Sequence, residues 1–191
     1  MPSLRERRHS ETKAALVDAA FDLLRSHNFA TLTMEEIAEK AGISRSTAYR
    51  RFASKEDIIL DVPRQWSDTW DQAQTDIAAD ATLMTALSHG SLAVAQKIDE
   101  DHELVLLAFS ALAESPTLQS SGANSADWIE RVATTILRHE PTLDQLEVRV
   151  LAGAWMGAID AMMMTWVNSG GKGSVTALTE RLTTQLEGIL Q

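Results

Sequence analysis

The chain has no cysteine in 191 residues, which excludes a disulfide framework, thiolate metal sites and a cysteine nucleophile. Proline is scarce at four residues and tyrosine occurs once, as Tyr49, so helix-breaking signals are few. No run reaches the roughly 18 uninterrupted apolar residues that would span a bilayer; the longest approach, from Val150 to Val167, is broken by Asp160. The first residues lack the apolar stretch and small-residue cleavage site of a secretory signal. A cytoplasmic protein without membrane contact is therefore expected. Positive charge is also short, with a formal net charge of −10, which at first weighs against a duplex partner, because phosphates are met by Lys and Arg.

The shortage is uneven. Residues 1–60 carry ten Lys plus Arg against nine Asp plus Glu, whereas residues 61–191 carry seven against eighteen. Arg5, Arg7 and Arg8 crowd the first ten positions, and Arg45, Arg50, Arg51 and Lys55 form a second group. Local positive potential can thus exist on an acidic protein.

What is abundant is helical spacing. From Glu11 to Ser26 the set Leu16, Val17, Ala20, Phe21, Leu23 and Leu24 falls on one face, ending at His27-Asn28. Thr33 followed three residues later by Glu36 is a capping box and predicts a short helix to Lys40. Gly42 stands where a helix C-terminus needs a left-handed residue. Ser44 then caps a second short helix through about Phe52, and Ser54 with Asp57 repeats the start signal. The stripe Ile59, Val62, Trp66, Trp70, Ala73 and Ile77 predicts one long helix, kinked or reset by Pro63. Further helices are expected near 82–98, 103–114, 125–139, 144–167 and 174–190, with Pro116, Pro141 and Gly170-Gly171-Lys172-Gly173 as breaks. The expected fold is all-α, with about nine helices: an N-terminal three-helix domain over 1–53, and a helical domain for ligand binding and dimerisation over 54–191.

Two short helices joined by Ala41-Gly42-Ile43 satisfy the requirements of a helix-turn-helix, in which the second helix enters the major groove. Ile37, Ala38 and Ile43 supply packing, which leaves Arg45, Ser46, Thr47, Tyr49 and Arg50 facing outward. Arginine pairs bidentately with guanine, Ser, Thr, Tyr and Lys more often hold phosphate, and the free amides after Ser44 suit an anion. A helical hairpin with a solvated basic face is the alternative on spacing alone.

The run from Thr31 to Ile59, TLTMEEIAEKAGISRSTAYRRFASKEDII, preceded by an amphipathic helix, closely resembles the N-terminal domain of Tet repressor-type regulators. The resemblance covers roughly residues 10–60. It implies a homodimer that binds two-fold related operator DNA and responds to a small-molecule effector. It further implies that Arg45 reads a base, that Thr47 and Tyr49 hold phosphates, that Lys55 binds phosphate and that Phe52 packs inward. Arg5, Arg7, Arg8, Thr33, Ser44, Ser46, Arg50 and Arg51 complete the candidate DNA contacts; the three N-terminal arginines have a solvated tail as their competing reading. Glu35 departs from the pattern, because the Tet repressor carries a basic base-reading residue at that position. That contact is expected to be missing, which leaves more of the reading to the second motif helix. Arg50 and Arg51 together are more basic than many relatives, pointing to strong phosphate anchoring or a G-containing half-site.

Beyond the motif, Trp66, Trp70, Trp128, Trp155 and Trp166 read singly as core. Pooled with Met84, Phe109, Met162 and Met163 they form a candidate wall for a lipophilic or aromatic ligand. The helix over 144–167 is apolar on two faces. Val148, Leu151, Trp155, Ile159, Met162 and Trp166 form a large-residue stripe for the core. Leu146, Val150, Gly153, Gly157, Ala161 and Met164 form a smaller one, proposed with Val175, Leu178, Leu182 and Ile189 as the dimer face. Asp160 borders it and is expected at the rim.

The five histidines lack ligand spacing, and no cofactor or metal is expected. Gly170-Gly171-Lys172-Gly173-Ser174 has no Ser or Thr directly after its Lys and no strand before it, so it reads as an interhelix loop. Asp99-Glu100-Asp101-His102-Glu103 reads as carboxylates at a helix start, where the dipole favours them. No catalytic constellation emerges, and an enzyme is not expected. A ligand-independent DNA-binding regulator, or a helical enzyme or adaptor that kept the fold, are the rival functions.

Overall fold

A computed structural model describes residues 4–78, 80–115 and 123–190, with side chains for 7–78, 80–115 and 126–188. Every regular element among them is helical: α1 (Leu4–Leu24), a 3-10 turn (Phe29–Thr31), α2 (Met34–Lys40), α3 (Arg45–Arg51), α4 (Lys55–Ile59), α5 (Asp61–Asp76), α6 (Leu83–Glu100), α7 (His102–Glu114), α8 (Ala123–His139), α9 (Gln145–Asn168) and α10 (Val175–Leu190). The all-α expectation holds. Pro116, expected as a break, lies outside the described residues.

Two compact units emerge, Met1–Arg64 with Glu103–Ser120, and Gln65–His102 with Ser121–Gln191. The first therefore extends past the helix-turn-helix boundary at 53/54 to take in α4, the start of α5 and most of α7. Its core is the apolar face of α1, with Leu16, Ala20 and Phe21, packed with Ile37, Ala38, Ala48, Phe52, Ile58 and Ile59. Arg25 at the end of α1 holds Glu103 of α7 at 2.9 and 3.1 Å. Lys13 pairs with the buried carboxylate of Asp61 at 2.5 Å.

Local chemistry sets the helix ends. The Thr33 hydroxyl accepts from the Glu36 amide at 3.2 Å and the Thr33 amide donates to the Glu36 carboxylate at 2.8 Å, a reciprocal capping box. The Thr33 hydroxyl also donates to that carboxylate at 2.7 Å, and this hydrogen bond first, then the one from the Thr33 amide, holds the Glu36 carboxyl below its ordinary range. Gly42 adopts φ 67° and its amide donates to Glu39, while Ile43 donates to Ala38, the paired hydrogen bonds that close a helix through a left-handed residue. Ser44 and Ser54 cap α3 and α4 through the amides of Thr47 and Asp57.

The single long helix expected after Ser54 is two. The break falls at Leu60, ahead of Pro63 rather than at it. In an unbroken helix Pro63 would leave the carbonyl of Ile59 without a donor; restarting at Asp61 puts the proline in a first turn, where its missing N–H costs nothing. α1 also begins earlier than expected, at Leu4.

The second unit centres on Trp70, Leu87, Val132, Ile136, Val148 and Trp155. α5 and α6 approach closely at Gly90, where a Cβ would lie 2.6 Å from the Gln74 amide nitrogen and 2.7 Å from the Trp70 ring. α9 has the length and apolarity to cross a membrane in spite of Asp160, but its large-residue stripe is core: Val148, Trp155 and Trp166 are buried. At its end Gly170 and Gly171 adopt positive φ and donate to Val167 and Trp166, closing the helix in the manner of Gly42.

Candidate functional site

The outward face of α3 is built as its residue pattern requires. Ala48 and Phe52 are buried beneath the helix, and Arg45, Ser46, Tyr49 and Arg50 are exposed, with Tyr49 one of the few large exposed side chains of apolar character among the described residues. Thr47 is half-buried; its hydroxyl receives hydrogen bonds from Ser44 at 2.9 Å and Arg50 at 3.4 Å. Arg45 stands 70% exposed, its guanidinium 5.6 Å from the Tyr49 ring. Glu35, projecting from the first turn of α2, forms an ion pair with Arg45 at 2.6 Å and accepts a hydrogen bond from the Tyr49 hydroxyl at 3.3 Å. On sequence alone Glu35 reads as a missing base contact. Its meeting with Arg45 across the turn depends on tertiary geometry that no spacing rule supplies.

Two expected DNA contacts are otherwise engaged. The Lys55 ammonium donates to the carbonyls of Phe29 at 2.7 Å, Ala30 at 3.2 Å and Leu32 at 2.8 Å, and lies 4.5 Å from the Phe29 ring centroid. Three donors meet three acceptors, so a phosphate would have to displace them. Arg51 turns away from the outward face. It lines a depression of about 440 Å³ with His9, Lys13, Phe52, Asp57, Asp61 and Arg64, and its Nε is buried without a hydrogen-bond partner. Arg51 lies three positions on from the buried Ala48, which puts both near one side of α3. Arg7 and Arg8 are exposed on the first turns of α1, in helical rather than extended backbone. The side chain of Arg5 lies outside the described residues.

The tryptophans divide. Trp70, Trp155 and Trp166 are almost completely buried. Trp155 donates to the Ser91 hydroxyl at 3.2 Å, Trp166 donates to the Gly173 carbonyl at 3.0 Å, and Trp70 meets Trp128 edge-to-face at 5.9 Å. Burial of these three fits the core reading that each has singly. Trp66, Met84, Trp128 and Met162 are half-buried in the second unit, and Phe109, also half-buried, belongs to the first.

The smaller stripe of α9 is uncovered: Leu146, Val150 and Met164 are 72%, 59% and 49% exposed. Gly157 and Ala161 are exposed and Gly153 half-exposed, and a Cβ at either glycine would meet nothing within 4 Å. Leu178 and Leu182 of α10 are half-buried, Val175 is buried, and the side chain of Ile189 lies outside the described residues. Asp160 is exposed beside the stripe, yet its surroundings desolvate the carboxyl enough to push its pKa up.

The acidic stretch after Ile98 straddles a helix boundary: α7 starts at His102 with Glu103 in its first turn, as expected, but Asp99 and Glu100 still belong to the preceding helix. α6 continues to Glu100, and Asp99 reaches the N-terminus of α10, accepting from the amides of Val175 at 2.7 Å and Thr176 at 3.0 Å and from the Ser174 hydroxyl at 2.6 Å. A carboxylate of the chain itself thus occupies the anion position at that helix end. Glu103 is committed to Arg25.

A capped helix pair whose second member presents Arg45, Ser46, Tyr49 and Arg50 outward is a DNA-reading helix-turn-helix. Residues 16–62 match the family described as bacterial regulatory proteins of the tetR family, and residues 81–191 match the MftR C-terminal domain. The chain belongs to the TetR family of transcriptional regulators, with a C-terminal region of the MftR type. It is similar to the fatty acid metabolism regulator protein of Bacillus subtilis, 23% identical across 86% of this chain and 88% of that protein. It is also similar to the putative mycofactocin biosynthesis transcriptional regulator MftR of Mycobacterium tuberculosis, 26% identical across 87% and 70%. Among solved structures, FadR of Bacillus halodurans shares the fold with a TM-score of 0.72 over 92% of this chain and 94% of that one, at 19% identity. Bacillus subtilis FadR in complex with stearoyl-CoA does so with a TM-score of 0.69 over 91% and 96%, at 21% identity.

Proposed function

We propose that the chain is a cytoplasmic homodimeric repressor that holds a two-fold related operator through α3 and leaves it when a lipophilic effector, a long-chain acyl-CoA, binds the C-terminal region. The observation that carries the DNA half of this reading is the outward face of α3, where Arg45 and Tyr49 stand exposed on a capped, buttressed helix. Support for the effector comes from relatives of the same fold whose structures hold stearoyl-CoA, in Bacillus subtilis FadR, and lauroyl-CoA, in Thermus thermophilus FadR. The half-buried Met84, Trp128 and Met162 offer apolar surface for an acyl chain. Carboxylates outnumber cations eighteen to seven over residues 61–191, which favours recognition of the chain over the nucleotide phosphates.

Dimerisation is inferred from the uncovered stripe Leu146, Val150, Gly153, Gly157, Ala161 and Met164, for which a second copy of the same helix is the fitting cover. Release requires only that acyl-CoA favour a conformation in which the two recognition helices no longer match successive major grooves. Its size is limited by the ligand's differential affinity for the two states.

The test is fluorescence anisotropy on a duplex recovered by selection from random DNA. Lauroyl-CoA or stearoyl-CoA is expected to weaken binding by about 5–150-fold, the usual range of coupling between sites, while free CoA leaves it unchanged. Operator affinity unaltered by either acyl-CoA would contradict the effector assignment and favour ligand-independent regulation.

A further inference from the structure

Glu35 places a carboxylate among the cations of a DNA-reading face. Exposed ion pairs of this kind add little to a fold, and Glu35 lies at the surface with Arg45 and Tyr49, 43% exposed at its side chain. Its charge also works against phosphate. A residue that adds little to stability and opposes non-specific binding calls for a different role, and its geometry supplies one.

One carboxylate oxygen of Glu35 pairs ionically with Arg45 Nη2 and accepts from the Tyr49 hydroxyl, and the guanidinium sits beside the Tyr49 ring. The arginine is thereby restrained from two sides. Reading guanine requires the guanidinium to meet O6 and N7 in one plane, whereas an unrestrained arginine reaches a neighbouring phosphate just as readily. The carboxylate pairs with one end of the guanidinium at Nη2, leaves its donors available to a base, and penalises any excursion that would leave it unpaired beside the DNA backbone.

We propose that Glu35 is the positioning residue for Arg45: it fixes the guanidinium for a base edge, raising sequence discrimination at the expense of affinity for unrelated duplex. This rests on Arg45 reading a base, and the test separates the two claims.

Base preference is measured by competition among all single-position variants of the selected operator for wild type, Glu35→Ala, Glu35→Gln, Arg45→Ala and the double variant Glu35→Ala/Arg45→Ala. Glu35→Ala is expected to flatten preference at the same base position as Arg45→Ala, by about threefold to tenfold. It should also raise affinity for unrelated duplex by about threefold, the effect of removing one negative charge several ångströms from phosphate in water. The double variant should be no flatter than Arg45→Ala alone, and Glu35→Gln, which keeps an acceptor, should retain part of the preference. Thermal melting of each variant, expected unchanged, separates positioning from folding. Flattening at a different base position would mean that Glu35 reads its own base and would overturn the proposal. So would a uniform affinity gain with preference intact. If Arg45→Ala itself leaves preference unaltered, the base-reading premise fails, and the positioning role with it.

Discussion

The ammonium of Lys55 lies 4.5 Å from the ring centroid of Phe29 and donates to that residue's carbonyl at 2.7 Å, so the first residue of α4 closes the turn that precedes α2. Because Ala30 and Leu32 take the remaining donors, this lysine acts as a structural clamp on the helix-turn-helix. Lys55→Ala is expected to destabilise the protein by about 1–3 kcal/mol, the range for losing charge-assisted hydrogen bonds to partly buried carbonyls, seen as a lower urea midpoint. At temperatures where the variant is folded, the salt dependence of its DNA binding should match wild type. A shallower dependence with an unchanged midpoint would return Lys55 to phosphate binding.

Asp99 ties α6 to the start of α10. Burial opposes its charge, but hydrogen bonds from Ser174, Thr176 and Val175 outweigh that and hold its carboxyl below the ordinary value. A depressed carboxyl contributes stability that is present above the unfolded pKa and is lost as pH falls through the folded one. Asp99→Asn should therefore cost about 1–3 kcal/mol at pH 7, and the difference from wild type should shrink as pH falls below about 4. A difference independent of pH would assign the loss to packing.

Gly157 sits on the uncovered stripe of α9, where an added Cβ meets nothing of its own chain within 4 Å. Gly157→Trp is accordingly compatible with the protomer but not with close approach of a partner helix. Sedimentation should show a monomer with near-native helical circular dichroism and no binding to a full operator. A variant that remains dimeric and binds the full site would move the interface elsewhere.

Much of the fold was legible because its signals are local. The capping box Thr33–Glu36, the left-handed Gly42, the caps Ser44 and Ser54, and the two-faced pattern of α9 all appear as expected. Asp144 and Glu147 form a second capping box that the same spacing rule would have found. What the sequence concealed depends on contacts between distant residues: Lys55 with Phe29, Asp99 with Val175, Glu35 with Arg45. Residue type predicts that a lysine near DNA meets phosphate, but carbonyls left open by a 3-10 turn compete for the same donors. The tryptophans were ambiguous for a related reason. Periodicity places Trp70, Trp155 and Trp166 on inward faces, and only packing distinguishes a filled core from a ligand wall.

The most direct test of the account is selection of bound sequences from random DNA by wild type and by Arg45→Ala. A dimer reading through α3 should recover an inverted repeat whose half-sites are spaced by about one helical turn or a multiple of it. Arg45→Ala should recover the same repeat with one base position in each half relaxed, weakened by about 1–3 kcal/mol per contact. Recovery of no two-fold related sequence by wild type, or an Arg45→Ala pool indistinguishable from wild type at every position, would contradict it.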